Sequence, residues 1–175
     1  MEHKDFKFDA HKGFEACWAQ AMMYQILLSD SYEPETYICS PLRAETVNAK
    51  EMNVSAVRAY MCYANMKMGQ NAVAPHAFLP RVLDDEVPEE RDVALRFGLV
   101  ILKKCKRMFV CGGKLSSGML GEINRAFELG KEIRVFNRGL YGVIKEIVEK
   151  NCYNLDLLVY DNAHRYLSLS AQEII

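Results

Sequence analysis

The sequence predicts an α/β fold, and three observations lead to that prediction. Short apolar runs alternate with helical stripes along most of the chain, in the order β-α-β-α-β-α-β-α-β. Residues 107–137 form the clearest unit, in which an apolar run, a glycine-rich loop, a helical stripe and a second apolar run follow one another. A strand, helix and strand in this order imply a right-handed parallel crossover. We therefore expect one doubly wound, flavodoxin-like or Rossmann-like sheet, mostly parallel, of about five strands, with helices on both faces and an extra N-terminal helix.

Composition limits the class of protein. The chain has 175 residues, half of them hydrophobic and 26% charged, which is typical of one globular domain that buries roughly two-thirds of its unfolded surface. The net charge of −1 gives no basic field for binding nucleic acid. We expect residues 1–35 to form a polar arm and a helix, and residues 36–175 to form the α/β domain.

The cysteines and the N-terminus indicate a reducing compartment. Six cysteines are scattered among apolar residues with no CxxC pair, so we expect reduced, buried thiols. Neither they nor the four histidines have metal-ligand spacing, and we expect no metal and no cofactor. The N-terminus is charged, without a signal-peptide core, and no apolar run approaches the ~18 residues of a membrane span. The expected location is the cytoplasm, with no membrane association.

The first half of the chain is predicted to hold two strands and three helices. The expected elements are, in order, a helix over Phe14–Leu28, a strand over Thr36–Ser40, a helix from near Asn53 to Gly69, a strand over Asn71–Pro75, and a helix that begins at Pro88 and ends in Lys103, Lys104 and Lys106. Residues 44–52 are interpreted as a separate turn or an extra helical piece. Residues 77–90 contain two prolines and an acidic run, so we expect a long loop over the edge of the sheet.

The second half continues the alternation. The expected elements are a strand over Met108–Cys111, a helix capped by Ser116 and Ser117 and closed by Gly130, a strand over Ile133–Phe136, a helix over Tyr141–Lys150 and a strand over Leu155–Tyr160. Residues 161–175 match no clear pattern.

Glu122 is the first candidate for chemistry. It lies at the edge of the apolar stripe of its helix, one turn beyond the glycine-rich loop, where an open α/β sheet binds its ligand. The free amides and hydroxyls of Ser116, Ser117 and Gly118 suit a phosphate, and a carboxylate one turn deeper can reach a sugar carbon attached to it. The same pattern also fits a solvated helix glutamate. No Walker A or GxGxxG motif is present, which argues against a nucleoside triphosphatase or a simple dehydrogenase.

Four segments of the chain carry a family resemblance. They are YICSPLR (37–43), APHAFLP (74–80), LDDEVPEER (83–91) and SSGMLGEINRAFELGKEI (116–133). In order and spacing they resemble the nucleoside 2-deoxyribosyltransferase-like superfamily, and more closely an uncharacterised bacterial and phage branch of it. The resemblance covers roughly residues 36–137, the part of the chain that contains these four segments. It implies cleavage or exchange of the N-glycosidic bond of a (deoxy)nucleoside or nucleoside 5′-monophosphate, by a homodimer or higher homo-oligomer.

The resemblance also assigns roles to residues. The family motif S-x-G-x-x-x-E-x-x-x-A is matched by Ser116, Gly118, Glu122 and Ala126. By this likeness Glu122 is the nucleophile that forms a glycosyl-enzyme, which water or a second base then resolves. The other implied site residues are Tyr37, which orients the nucleophile; Ser116 with Ser117 and Gly118, which hold the 5′-phosphate; Arg43, which contacts phosphate or sugar; and Ser40 and His76, which lie at the ends of the first two strands.

One departure from the family concerns the leaving base. The superfamily has an aspartate that assists this base, and the alignment places Gly98 at its position. Asp84, Asp85 or Asp92 is a possible substitute, as an acid or as a pocket wall. Without a general acid we expect a loss of roughly 10²–10⁴ in rate, so a nucleotide-binding module without turnover is a second hypothesis, and a structural or interaction protein a third.

Several candidate residues also have structural interpretations. Tyr37 is also typical of a strand residue that packs in the core, and Arg43 of a solvated surface arginine. His76 could bond to backbone at the end of a strand. Asp84 and Asp85 are also typical of a solvated turn.

Overall fold

A single parallel sheet forms the centre of the molecule. The computed structural model of the chain describes residues 21–23, 25, 29 and 33–175. Its strands are β1 Thr36–Cys39, β2 Ala72–Val73, β3 Arg107–Val110, β4 Glu132–Val135 and β5 Leu158–Tyr160. They pair in the order β2-β1-β3-β4-β5, and every pairing is parallel. This is the flavodoxin-like order, so the predicted fold class is confirmed.

Helices cover the sheet on both sides. They are α1 Val47–Met68, α2 Pro88–Lys104, α3 Ser117–Glu128, α4 Arg138–Lys150 and the short α5 Ala171–Ile174. Right-handed crossovers in this strand order place α1 on one face, and α2, α3 and α4 on the other. In agreement with this, α1 contacts α5, and α2 contacts α3. Among the described residues no helix combines the length and apolarity needed to cross a membrane.

The central strands are buried on both faces, and for this reason their sequences are continuous apolar runs. Tyr37, Ile38 and Cys39 of β1 are each at most 1% exposed. Because side chains alternate along a strand, Tyr37 and Cys39 project to one face and Ile38 to the other. The face that Tyr37 and Cys39 share is the one covered by α2 and α3, and this alternation is what places them beside the candidate site.

The first helix begins earlier than predicted. The Thr46 side chain caps it by accepting a hydrogen bond from the Ala49 amide at 3.2 Å, so the helix starts at Val47 and not near Asn53. The prediction of a separate piece over residues 44–52 is therefore wrong. A threonine cap seven residues upstream is used in place of the asparagine that the sequence offered.

The predicted loop over residues 77–90 is also more ordered than expected. It contains a 3₁₀ turn over Leu79–Arg81, directly after another over Pro75–Ala77. Phe78, Leu79 and Val82 are buried, and their burial holds the segment against the core. The start of α2 at Pro88 is confirmed.

The C-terminal residues, which matched no pattern, return to the sheet. The Gly112 amide donates to the Leu167 carbonyl at 2.9 Å, and the Tyr60 hydroxyl donates to the Leu169 carbonyl at 2.5 Å. These bonds bring a 3₁₀ turn over Arg165–Ser168 and helix α5 against α1.

Other boundaries differ by a few residues. Helix α4 begins at Arg138 because Asn137 caps it, and residues 155–157 form a 3₁₀ turn before the short strand β5. Gly130 takes a φ of 66° just after α3, as predicted for a glycine that closes a helix. Most of the predicted helix over Phe14–Leu28 lies outside the described residues, of which 21–23 and 25 are helical.

Candidate active site

A hydrogen bond joins β1 to α3 near the carboxyl edge of the sheet. The Tyr37 hydroxyl donates to Oε1 of Glu122 at 2.7 Å. Burial raises the pKa of Tyr37 well above its usual value, and the neighbouring Glu122 charge raises it further. Burial also raises the pKa of Glu122, while the hydrogen bond from Tyr37 acts in the opposite direction. The structure thus places two of the predicted residues in direct contact.

The amphipathic pattern of α3 explains where Glu122 lies. Met119, Ile123 and Ala126 are buried against the sheet, and Glu122 lies at the edge of that stripe, as the sequence predicts. The residue as a whole is half-buried and lines a cavity. Its carboxyl group is therefore shielded by protein while it remains next to a space that a ligand can enter.

Gly98 of α2 lies directly against this pair. A β-carbon at Gly98 would be 3.2 Å from the Tyr37 hydroxyl oxygen and 3.9 Å from Oε1 of Glu122. Gly98 is itself buried. Gly98 thus faces Glu122, and the Tyr37 hydroxyl is so close that an added methyl group is crowded there.

The cavity beside Glu122 is open to solvent and has a volume of about 130 Å³, several times what one ordered water requires. Apolar residues of the loop after β2 and of α2 form part of its wall. The polar or glycine residues that line it are Tyr37, Ser40, Arg43, His76, Asp85, Glu90, Arg91, Gly98, Ser116, Ser117, Gly118 and Glu122. Every predicted catalytic and substrate-binding residue is among them.

Two polar residues from the ends of β1 and β2 meet in the cavity wall. The Ser40 hydroxyl and Nε2 of His76 are 2.9 Å apart, and both residues are buried. Burial lowers the pKa of His76 to about 4. The imidazole is therefore neutral at pH 7, and it bonds to a side chain rather than to backbone.

An acidic residue binds two arginines at the cavity mouth. Oδ2 of Asp85 accepts from Nε of Arg43 at 2.8 Å and from Nη1 of Arg91 at 3.2 Å. Asp85 was predicted as an acid or a pocket wall, and the structure shows it in the wall. Arg43, predicted as a phosphate or sugar contact, is at the same mouth with its side chain 56% exposed.

The other two candidate acids do not line the cavity. The Asp84 side chain accepts from the Glu86 amide at 3.0 Å on the surface. Asp92 pairs with Arg96 one turn along α2, and its side chain is 57% exposed. Both residues are exposed.

The start of α3 provides the other end of the cavity. The Ser116 hydroxyl accepts from the Met119 amide at 3.2 Å and so caps the helix. Ser117 and Gly118 form the first turn, where backbone amides have no partner within the helix. A helix start of this kind is suited to an anionic group.

Two residues beside these groups were missed from the sequence. The Cys39 thiol is close to the Met119 carbonyl, at 4.0 Å, and also interacts with the Glu122 carboxyl. Its position two residues after Tyr37 on the same strand face was a usable signal. Glu90 also lines the cavity. Among the described residues no group of three His, Cys, Asp or Glu is placed to hold a metal ion.

Comparison with known proteins gives a family. Residues 34–136, more than half of the chain, match the model described as Domain of unknown function (DUF7768). The chain belongs to this family. A search of the curated proteins found no match to it. The DUF7768 match contains every residue that lines the cavity, whereas α4, β5 and α5 lie beyond it, so the candidate site is a feature of the family domain.

Proposed function

We propose that this DUF7768 protein cleaves or exchanges the N-glycosidic bond of a nucleoside or nucleotide, with Glu122 as the nucleophile. The observation that carries the proposal is the 2.7 Å hydrogen bond from Tyr37 to Glu122 beside an open cavity. A fully buried tyrosine that fixes one oxygen of a half-buried carboxylate is an arrangement that holds a nucleophile in one orientation. The family resemblance described above supports the same role.

In the proposed reaction the Glu122 carboxylate attacks the anomeric carbon of the sugar. The bond to the base breaks, and a glycosyl-enzyme ester forms at Glu122. Water, or a second base, then attacks the same carbon and releases the carboxylate, with net retention at that carbon. Desolvation raises the pKa of Glu122 and makes the carboxylate a stronger nucleophile once it is ionised.

The ends of the cavity suggest how a nucleotide binds. In the proposal a 5′-phosphate binds at the start of α3, where Ser116, Ser117 and Gly118 line the cavity. Arg43, whose side chain is largely exposed at the mouth, provides a cation for the same group. Ser40 and the neutral His76 are neighbouring polar groups that suit hydroxyls of the sugar.

Release of free base tests the proposal. The purified protein is incubated with deoxynucleoside monophosphates, nucleosides and dinucleotides, and released base is separated by chromatography. Glu122→Gln is expected to lower the rate of release at least about 10³-fold. Glu128→Gln is the matched control, because Glu128 is on the same helix but pairs with Arg125 at the surface. Release that survives Glu122→Gln unchanged contradicts the proposal.

A second candidate function is nucleotide binding without turnover. The close approach of Gly98 to Tyr37 favours it, since no side chain at that position assists a leaving base. Titration calorimetry with the same ligands separates the two functions. Binding without product supports a binding module, whereas product formation supports the enzyme.

The resemblance also supports a homodimer or a higher homo-oligomer. This stays a prediction, because the structure describes one chain. The mass in solution, measured by light scattering, tests it, and a monomeric mass at all concentrations contradicts it.

A further inference from the structure

We propose that the preferred substrate of this site is a nucleotide whose base already carries a positive charge, such as a pyridinium nucleotide. The inference rests on the proposed function of Glu122 and specifies the class of leaving group. A neutral base leaves as an anion unless an acid protonates it. A cationic ring leaves as a neutral molecule and needs no proton. A cavity without a side chain that can protonate the leaving base therefore favours a cationic ring.

Each carboxyl group that lines the cavity in the described part of the chain accepts a hydrogen bond from the protein. Glu122 accepts from Tyr37 at 2.7 Å, and Asp85 accepts from two arginines. Glu90 accepts from the Asp84 amide at 2.5 Å. Glu122 has to be ionised to act as the nucleophile, and the bonded oxygens of Asp85 and Glu90 are acceptors with no proton to give.

The histidine, tyrosine and arginine side chains of the cavity are also poor proton donors for a leaving base. His76 is buried against Ser40 with a pKa of about 4, so its acidic, protonated form is scarce at pH 7. The Tyr37 proton is directed at the nucleophile itself. Guanidinium groups do not release protons in proteins. Gly98, which faces the Tyr37–Glu122 pair from α2, has no side chain that could donate a proton.

The charge of the cavity points in the same direction. Three carboxylates line it (Asp85, Glu90 and Glu122) against two guanidiniums (Arg43 and Arg91), and both guanidiniums bind the same carboxylate. The charges of Asp85 and Glu90 are cancelled by the two guanidiniums, so the ionised Glu122 gives the cavity a single net negative charge, which attracts a cation. The opposite end, at the start of α3, suits an anion. A ligand that is cationic in its ring and anionic in its phosphate matches both ends.

The step balances without an added acid. An oxygen of Glu122 forms a bond to the anomeric carbon, and the bond from that carbon to the ring nitrogen breaks. The electron pair of the broken bond stays on the nitrogen and converts the pyridinium to a neutral pyridine. Water then bonds to the anomeric carbon, the ester bond breaks with its electron pair returned to the carboxylate, and one proton is released to solvent.

Two matched substrate pairs test the inference on the native protein. Nicotinamide mononucleotide is compared with adenosine monophosphate, and 7-methylguanosine monophosphate with guanosine monophosphate, which differs from it by one methyl group and its charge. For each pair, base release that depends on Glu122 is measured as the difference between the native protein and Glu122→Gln. We expect kcat/KM for the cationic member to be at least about 10²-fold higher, because the lack of a general acid slows the release of a neutral base by at least about that factor.

Each outcome has a distinct meaning. Release of neutral bases with equal or higher kcat/KM overturns this inference and leaves the proposed function standing. Release from neither class contradicts the proposed function, and this inference with it. A kcat/KM for nicotinamide mononucleotide, whose ring has no proton to lose, that stays level toward high pH supports the inference, because no acid has to remain protonated. A fall at high pH, with the fold intact by circular dichroism, contradicts it.

Discussion

Gly98 and Tyr37 are in close contact: a β-carbon on the glycine would lie 3.2 Å from the tyrosine hydroxyl oxygen. Tyr37 is 1% exposed and is bound to Glu122, so the hydroxyl has little freedom to move away. A larger residue at position 98 would therefore require Tyr37 to shift, and with it the hydrogen bond to Glu122.

Gly98→Ala should disturb this pair. Alanine normally stabilises a helix interior by up to about 1 kcal/mol relative to glycine. At this position we expect crowding of Tyr37 to cancel that gain and to lower base release about 10-fold or more. Gly121→Ala is the matched control, because Gly121 is also helical and no atom lies within 4 Å of its added β-carbon. Chemical denaturation should show Gly98→Ala to be about 1–2 kcal/mol less stable than the control. Equal stability and equal activity would show that Tyr37 relaxes freely.

Glu122→Gln should stabilise the protein at neutral pH. The folded state raises the pKa of Glu122 by burial, so folding favours the protonated carboxyl. Stability therefore falls as the pH rises from the usual carboxyl pKa of 4.5 through the raised value, and glutamine avoids this loss. The amide oxygen still accepts from Tyr37. We expect a gain on the order of 1 kcal/mol at pH 7, or about 2–4 °C in melting temperature. The gain should vanish below pH 4, and its persistence there would assign it to another cause.

The sequence predicted the sheet well because the strongest physical signals are local. Continuous apolar runs predicted the buried parallel strands, and Ser116 and Gly130 marked the limits of α3. The position of Glu122 at the edge of a buried stripe follows from helix geometry alone. Its contact with Tyr37, 85 residues away, was expected from the family resemblance and not from any local pattern.

The remaining features depend on tertiary contacts. Thr46 and Asn53 are both good caps, and only the packed helix decides between them. Residues 161–175 show no hydrophobic periodicity, because individual hydrogen bonds hold them in place. One example is the bond from the Tyr60 hydroxyl to the Leu169 carbonyl. Of three neighbouring candidate acids, Asp85 alone reaches the cavity, since two arginines bind it. No feature of the sequence distinguishes it from Asp84.

His76 should make the protein less stable in mild acid. Its pKa is about 4 in the folded state, against an ordinary value of 6.5, so the unfolded chain binds the proton more readily. Stability is complete above pH 6.5 and is lost as the pH falls toward 4, by up to about 3 kcal/mol. Urea denaturation at several pH values measures this slope. His76→Gln, which retains a polar group for Ser40, should flatten it, and a slope unchanged in this variant would assign the loss to other groups.

Tyr37→Phe should separate positioning from simple packing. The substitution keeps the ring and removes the hydroxyl that donates to Glu122 at 2.7 Å. Because that bond lowers the pKa of Glu122, its loss should raise the pKa further, and the nucleophile will need a higher pH to ionise. In the native protein, kcat/KM for base release should rise with pH through a midpoint above 4.5. In Tyr37→Phe the midpoint should move to higher pH, with kcat about 10-fold or more lower at pH 7. Glu128→Gln is the control, and its midpoint should match that of the native protein. A purely structural role for Tyr37 predicts a loss of stability of about 1–2 kcal/mol with no movement of the midpoint, so the pH profile distinguishes the two roles even if both variants are less stable.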